Sequence, residues 1–407
     1  MGFLRVGGGH IGLDIGTSAV RAAEIRGDRS PQVVRFGQVL LPRGAVRNGE
    51  VEEPELVGQA LTTLWKRAGF SSRDVRVGVS NRRVVVRQIE FPAMSREDLE
   101  GAIRFQAQDY IPIPLADAVM DFQVVDELTG PEGEALQRVV VVAAEREMVD
   151  RLVAAVQAAK LEPQSLELNA YPLVRTLGTD DASAVEAEAI VDIGAGVTNV
   201  VVQQAGKIRF VRTLSSGGDD FTQAVSAALD LEWEEAESMK HRASTELGIR
   251  LGADEYLDDD ETQEISTTTR GAEPDDLEEL DEDEEDVESG AEEEESEDDD
   301  IPESLSAAVD NLAPQVERFV EEVRGSLDFY TGQSEALPLR SVLVTGGGSL
   351  LGGLRSRLGA ALRVPADQGS VFRKVPIGKV QLEAEQIAVA EPFLSVAVGL
   401  ALGGFEA

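Results

Sequence analysis

The stretch IGLDIGTSAVRAAEIRGDRSPQVVRF, residues 11–36, decides the fold, because the chain repeats its pattern as AIVDIGAGVTNVVVQQAGKIRF at residues 189–210. Each copy has an apolar run, then Asp-Ile-Gly, small polar residues and a second apolar run. Each continues through a turn into a segment ending in an aliphatic residue, Arg and Phe: Val34-Arg35-Phe36 and Ile208-Arg209-Phe210. Apolar segments joined by such a turn read as a strand, a tight Gly bend and a returning strand. The copies lie too far apart for a solenoid period. They are the pattern of two related half-domains in one chain.

Outward from the first copy, VVRFGQVLLP reads as a third strand ending at Pro42. EPELVGQALTTLWKRAGF has helical spacing and a closing Gly69. DVRVGVS and RVVVRQIEF are strands. A different module follows, between about 90 and 165. MSREDLEGAIRFQAQDYIP opens on a capping-box pattern at Ser95–Asp98, and its helix stops before Pro112. Strands VMDFQVVDE and LQRVVVVAAE follow, then an amphipathic helix (EMVDRLVAAVQAAKLEP) and the strand QSLELN. After the second copy come two helices, a long helical pattern from residue 302, a strand–Gly turn–helix unit at LRSVLVTGGGSLLGGLRSRLGAAL, and a short closing helix. Pro314 is expected in the first turns of the long pattern, or dividing it. Strand-then-helix order in both halves predicts an α/β protein with two similar lobes and a cleft between them, where small ligands usually bind.

The 407 residues carry a net charge of −39, but unevenly. Residues 254–300 hold 27 Asp and Glu against Arg270 alone, which is −26 of that total and leaves −13 for the rest. The remainder is mildly acidic, and no basic stripe suggests nucleic acid. The acidic run is too densely charged to bury a core and is expected to be disordered. Cysteine is absent, which excludes disulfides and thiolate metal sites. His10 and His241 stand alone in sequence and read as ordinary histidines. The apolar stretch FLSVAVGLALGGF is well short of the ~20 residues that span a bilayer. A soluble cytoplasmic protein is expected.

Phosphate binding asks for outward-pointing backbone N–H groups at a turn where an anion can approach, and a hard cation riding on the phosphates asks for carboxylates or the waters they hold. Asp14, Gly16, Thr17 and Ser18 supply that set once. Asp192, Gly194, Gly196, Thr198 and Asn199 supply it again. Thr345-Gly346-Gly347-Gly348-Ser349 ends a strand, with Ser349 placed to cap the following helix. Glu237, Lys240 and Ser244 share one helical face, suited to a ribose and a base edge. Gly217 and Gly218 form another bend ahead of a helix. Neither a G-x-x-x-x-G-K-[ST] loop nor a strand-linked G-x-G-x-x-G occurs.

Two phosphate turns on duplicated lobes, a late Gly-Gly-Gly turn and an E-x-x-K helix resemble the actin-like ATPase superfamily. IGLDIGTSAVRAAEI, SNRRVVVRQIEFP, QDYIPIPLADAVMDFQVV, LVTGGGSLLGGL and SVAVGLALGG are similar to the PilM family of type IV pilus assembly proteins within it. The resemblance implies an actin-like two-lobed fold. The first lobe would take 10–89 and 166–187, with an inserted α/β subdomain at 90–165. The second would take 188–253 and 302–387 around a disordered acidic insertion at 254–301, and a closing helix at 388–407 would return to the first lobe. It implies ATP and Mg²⁺ as cofactors. Asp14, Gly16, Thr17 and Ser18 would form one phosphate loop and Asp192, Gly194, Gly196 and Thr198 the other. Glu237, Lys240 and Gly346, Gly347, Gly348 and Ser349 would lie at the adenosine. Asp14 and Asp192 would hold the metal through water, and Arg21 stands where the family usually has Lys. The implied partner is the N-terminal cytoplasmic peptide of a PilN-like membrane protein, which would keep the chain at the inner face of the membrane without insertion. Hydrolysis is expected to be weak or absent, with Glu167 the one candidate to activate water. A small-molecule kinase and an FtsA-like filament former are the alternatives.

Overall fold

The computed structural model describes residues 9–27, 29–181, 183–250, 302–334, 336–380 and 383–405. The acidic run expected to be disordered lies outside the described residues. The chain begins with strands β1 (His10–Ile15), β2 (Ala19–Arg26) and β3 (Gln32–Leu40), then a two-residue ladder of β4 (Val46–Arg47) with β5 (Glu50–Val51), helix α1 (Pro54–Ala68) and β6 (Asp74–Val79). Gly69 ends α1 at φ 65°, the left-handed cap its position requires. Next come β7 (Val85–Pro92), α2 (Arg96–Tyr110), β8 (Ala118–Thr129) and β9 (Ala135–Glu145), then α3 (Arg146–Ala158), β10 (Glu162–Leu168) and α4 (Ala170–Leu177). The Asp98 N–H donates to Ser95 Oγ at 3.2 Å, so the predicted cap opens α2.

The remainder repeats the first pattern. It consists of β11 (Ala187–Ile193), β12 (Thr198–Gln204), β13 (Lys207–Leu214), α5 (Gly218–Leu229), α6 (Trp233–Arg250), α7 (Glu303–Thr331), β14 (Leu339–Thr345), α8 (Leu354–Leu362), β15 (Ala366–Gln368), α9 (Ala384–Ala390) and α10 (Ser395–Leu402). One five-stranded sheet runs β10-β6-β1-β2-β3 and the other β15-β14-β11-β12-β13. In both, the first two hairpin-linked pairs are antiparallel and the next two neighbours are parallel. The duplication seen in the residues is therefore a duplication of topology.

β7, β9 and β8 form a separate three-stranded sheet with its own core, in which Phe91, Leu99, Ile103 and Val139 are buried. This grouping differs from the expected 90–165. β7 begins at Val85, while β10 pairs in parallel with β6 and Ala155 and Val156 of α3 bury against Val57 and Leu61 of α1. Strand partners, not the order of elements, decide to which sheet a segment belongs. Pro314 neither falls in the first turns of α7 nor divides it; the helix is continuous around it. Val309, Leu312, Val316, Phe319 and Val320 bury on both sides of Pro314, and this outweighs the ~3 kcal/mol that an internal proline costs.

A third apolar core joins the lobes. Ala23, Ile25, Leu173 and Leu177 from the first meet Ile190 and Val201 from the second, around α10. That helix is buried on every side, which explains why its sequence after Ser395 is apolar. It lies against β1 because Gly12 has no side chain: a Cβ there would collide with the Ala397 carbonyl and fall 2.6 Å from the Ala401 nitrogen. No single described helix is long and apolar enough to cross a membrane. Gly12→Ala should overpack this contact and cost about 1–3 kcal/mol, read as a lower midpoint with an unchanged slope in urea unfolding. An unchanged midpoint would contradict the packing.

Candidate functional site

The repeated Asp-Ile-Gly segments are the bends of β1–β2 and β11–β12. In the first, the Gly16 N–H donates to Ala19 O at 3.0 Å; in the second, the Gly194 N–H donates to Val197 O at 2.9 Å. Asp14 pairs across its hairpin with Arg21, and Asp192 across its own with Asn199. The bends face each other. A Cβ on Gly196 would lie 2.9 Å from Thr17 Oγ1, so the main chain of the second bend passes directly over the side chain of the first. Ser80, after β6 in the first lobe, donates to Asn199 Oδ1 at 2.6 Å and ties the lobes together at the same place.

The electrostatics follow from this approach. Burial pushes the Asp14 carboxyl up, against the Arg21 charge and a hydrogen bond from Asn169. Asp192 is pushed up to about 6 by burial and by the Asp14 charge, with the Asn199 hydrogen bond and Arg21 opposing. Arg21 Nη1 lies 3.9 Å from Asp14 Oδ2, and its guanidinium stands 5.2 Å from the Phe393 ring centre. Arg21 Nε and Asn169 Oδ1 are buried without a hydrogen-bond partner. Two carboxylates, one arginine and two unsatisfied polar atoms thus converge on one point. No signal in the residues singled out Asn169, a lone Asn at the end of β10.

The other expected residues surround this point. Gly217 and Gly218 press on the second bend: the Gly218 N–H donates to Gly194 O at 2.9 Å, and a Cβ on Gly217 would strike Gly194 O. Lys240 Nζ donates to Thr222 Oγ1 at 2.9 Å and to Glu237 Oε2 at 2.8 Å. Burial works to raise the Glu237 carboxyl, but Lys240 and the Thr222 hydroxyl outweigh it and hold it below the usual range. Gly346, at φ 85°, turns the chain against the second bend; a Cβ there would lie 2.7 Å from Asp192 Oδ1. Gly347 abuts Phe393 and Gly348 abuts Ile193.

Four side chains are engaged otherwise than expected. Thr198 is fully buried, and its hydroxyl donates to Ser216 O at 2.8 Å. Ser349 turns inward to donate to Gly346 O at 2.6 Å; the cap of α8 is Gly353, because a short 3₁₀ turn intervenes. Ser244 Oγ accepts from the Gly352 N–H at 2.8 Å and so fastens α6 to the glycine turn. Glu167 is held by Arg175 at 2.7 Å and Arg76 at 3.6 Å, an ion-pair network that occupies its carboxylate.

A cavity of about 560 Å³ lies elsewhere. Val124 and Val140 of the inserted sheet, Tyr171 and Val174 of α4, and Lys207 and Arg209 of the second lobe line it. Lys207 Nζ bonds Asp126 of the inserted sheet at 2.6 Å.

Duplicated sheets with facing bends and a shared closing helix define a two-lobed, actin-like protein with an inserted subdomain. The profile of the family described as type IV pilus assembly protein PilM matches residues 12–250, and the chain belongs to that family. The profile of the cell division protein FtsA matches residues 189–399, the second lobe and its return. A solved PilM–PilN type IV pilus biogenesis complex aligns with a TM-score of 0.74 at 26% identity, over 98% of this chain and 99% of that one. FtsA of Pseudomonas aeruginosa is 27% identical over 267 residues, 61% of this chain and 64% of its own length. FtsA of Bacillus subtilis is 25% identical over 257 residues, 57% of each. The chain thus spans less than two thirds of these curated relatives.

The raised Asp192 value fixes a sign. The folded group holds its proton up to about 6 and the ordinary group only to 3.8. The folded state therefore binds more protons between these values, and stability falls as pH rises through them. Asp192→Asn removes that cost. Without Mg²⁺ or nucleotide the variant should be more stable than the parent at pH 7.5 by on the order of 1–3 kcal/mol, and the gain should fade toward pH 4. Equal stabilities in urea at both pH values would contradict it.

Proposed function

We propose that the chain is an ATP-binding scaffold of a type IV pilus assembly platform, taking Mg²⁺–ATP between its two bends and a PilN-like peptide in the groove beside the inserted sheet. The observation that carries the nucleotide reading is the buried meeting of Asp14 and Asp192 on matched turns, beside an arginine whose Nε is unsatisfied. Like charges so placed call for a cation, and Mg²⁺ on a polyphosphate typically uses one or two carboxylates through its waters. Asp14 and Asp192 would hold it so, while Arg21 and the N–H groups of Thr17, Ser18, Ala195 and Gly196 meet the phosphates. Arg21 keeps a charge there but offers a planar fork in place of a lysine's point ammonium. Glu237 and Lys240 suit the ribose. The metal-bound phosphate chain neutralises the aspartate pair, which favours the closed cleft.

The engagement of Glu167 by two arginines favours binding over turnover, since it occupies the carboxylate that would orient a water. The peptide reading rests on family membership, on the complex that aligns with the whole chain, and on the 560 Å³ groove with walls from three parts of the molecule. One of those walls is the β12–β13 hairpin, whose other end carries Asn199 beside Asp192. Occupants of cleft and groove would therefore bias each other, a reciprocal coupling.

Calorimetric titration tests both sites. Mg²⁺–ATP should bind the parent, and Asp14→Ala and Asp192→Ala should each weaken it by roughly ten-fold or more. Unchanged affinity in both variants would sink the cleft assignment. Val124→Asp, at an exposed groove position, should weaken a PilN-type N-terminal peptide while leaving ATP affinity alone; undiminished peptide binding would place the peptide elsewhere.

A further inference from the structure

The lobes also meet at the cleft through a pair of side chains that belongs to neither bend. The Arg43 guanidinium lies over the Trp233 ring, 3.6 Å from its centre. Arg43 belongs to the first lobe, in the loop after β3. That loop is fastened to the first bend, because the Leu41 N–H donates to Ser18 O at 2.9 Å. Trp233 is the first residue of α6 in the second lobe, one helical turn before Glu237. The charge of Arg43 also acts on Asp219, whose own N–H donates to Ala195 O of the second bend at 2.8 Å. Arg43 is thus tied through its loop to the first turn and acts on Asp219, which is tied to the second, while Trp233 heads the second-lobe helix that carries Glu237; parting the lobes would unstack the pair.

We propose that Arg43 and Trp233 are positioning residues for nucleotide: a clasp across the cleft that holds the two bends on the phosphates and slows release. The proposal rests on the nucleotide reading of the cleft. An exposed guanidinium stacked on a half-buried indole gains little by itself, so the clasp tunes the lifetime of the closed state and leaves overall stability to the buried core. Loss of it acts on the rate of departure more than on the contacts made with the ligand.

The test is stopped-flow release of the fluorescent nucleotide mant-ADP with Mg²⁺, chased by excess ADP, on the full chain. Arg43→Ala and Trp233→Ala should each speed release roughly two- to five-fold. The double variant should be no faster than the quicker single one, since both remove a single contact. Arg43→Lys should restore part of the slow rate. In a Trp65→Phe background, Trp233 is the only tryptophan, and its emission should shift on nucleotide binding in the parent sequence but not with Arg43→Ala. Equal release rates in parent and Arg43→Ala, with binding intact, would overturn the clasp and leave the cleft reading standing. A parent that binds no mant-ADP would overturn both.

Discussion

Two carboxylates of the same sign, buried where the lobes touch, are the constraint on which the rest of this molecule turns. Burial raises the proton affinity of both Asp14 and Asp192, and at Asp192 the Asp14 charge adds to it. What holds them there is apolar. The core shared between the lobes, with α10 pressed into the groove that Gly12 leaves open, brings β1 and β11 together whatever their end residues prefer. The fold spends hydrophobic burial to assemble a site that is electrostatically incomplete, which the proposed cation and its phosphates would complete.

The same hairpins carry the consequence outward. β12 starts at the second bend and ends at the turn that walls the groove, so one short strand spans the distance between two proposed ligands. A strand hydrogen-bonded on both edges moves as a body. The Lys207–Asp126 ion pair then links that body to the inserted sheet, although an ion pair so exposed contributes little stability on its own. Its value lies in which parts it connects.

The hairpin conformation of each bend was legible in the residues, since Asp-Ile-Gly with small polar neighbours has few ways to fold, and its repetition announced two lobes. The cap at Ser95, the stop at Gly69 and the largely apolar closing helix were equally local and equally readable. Where partners are distant, the residues were silent. Whether β7 and α3 belong to the insertion depends on strands and helices far along the chain. Thr198 and Ser349 have the right hydroxyls, yet burial turns them to main-chain carbonyls. Pro314 has the local look of an early-turn or dividing residue, but a continuous buried stripe carries the helix through it. Asn169 and the Arg43–Trp233 pair have no local pattern at all, because their meaning arises only when the lobes are brought together.

A crystal structure of the chain grown with Mg²⁺ and a non-hydrolysable ATP analogue bears most directly on this account. The expected result is a triphosphate lying between the bends at Gly16–Ala19 and Gly194–Val197, with a hydrated metal ion shared by Asp14 and Asp192. A nucleotide bound at any other place, or the two aspartates in direct contact with each other and no metal between them, would contradict it.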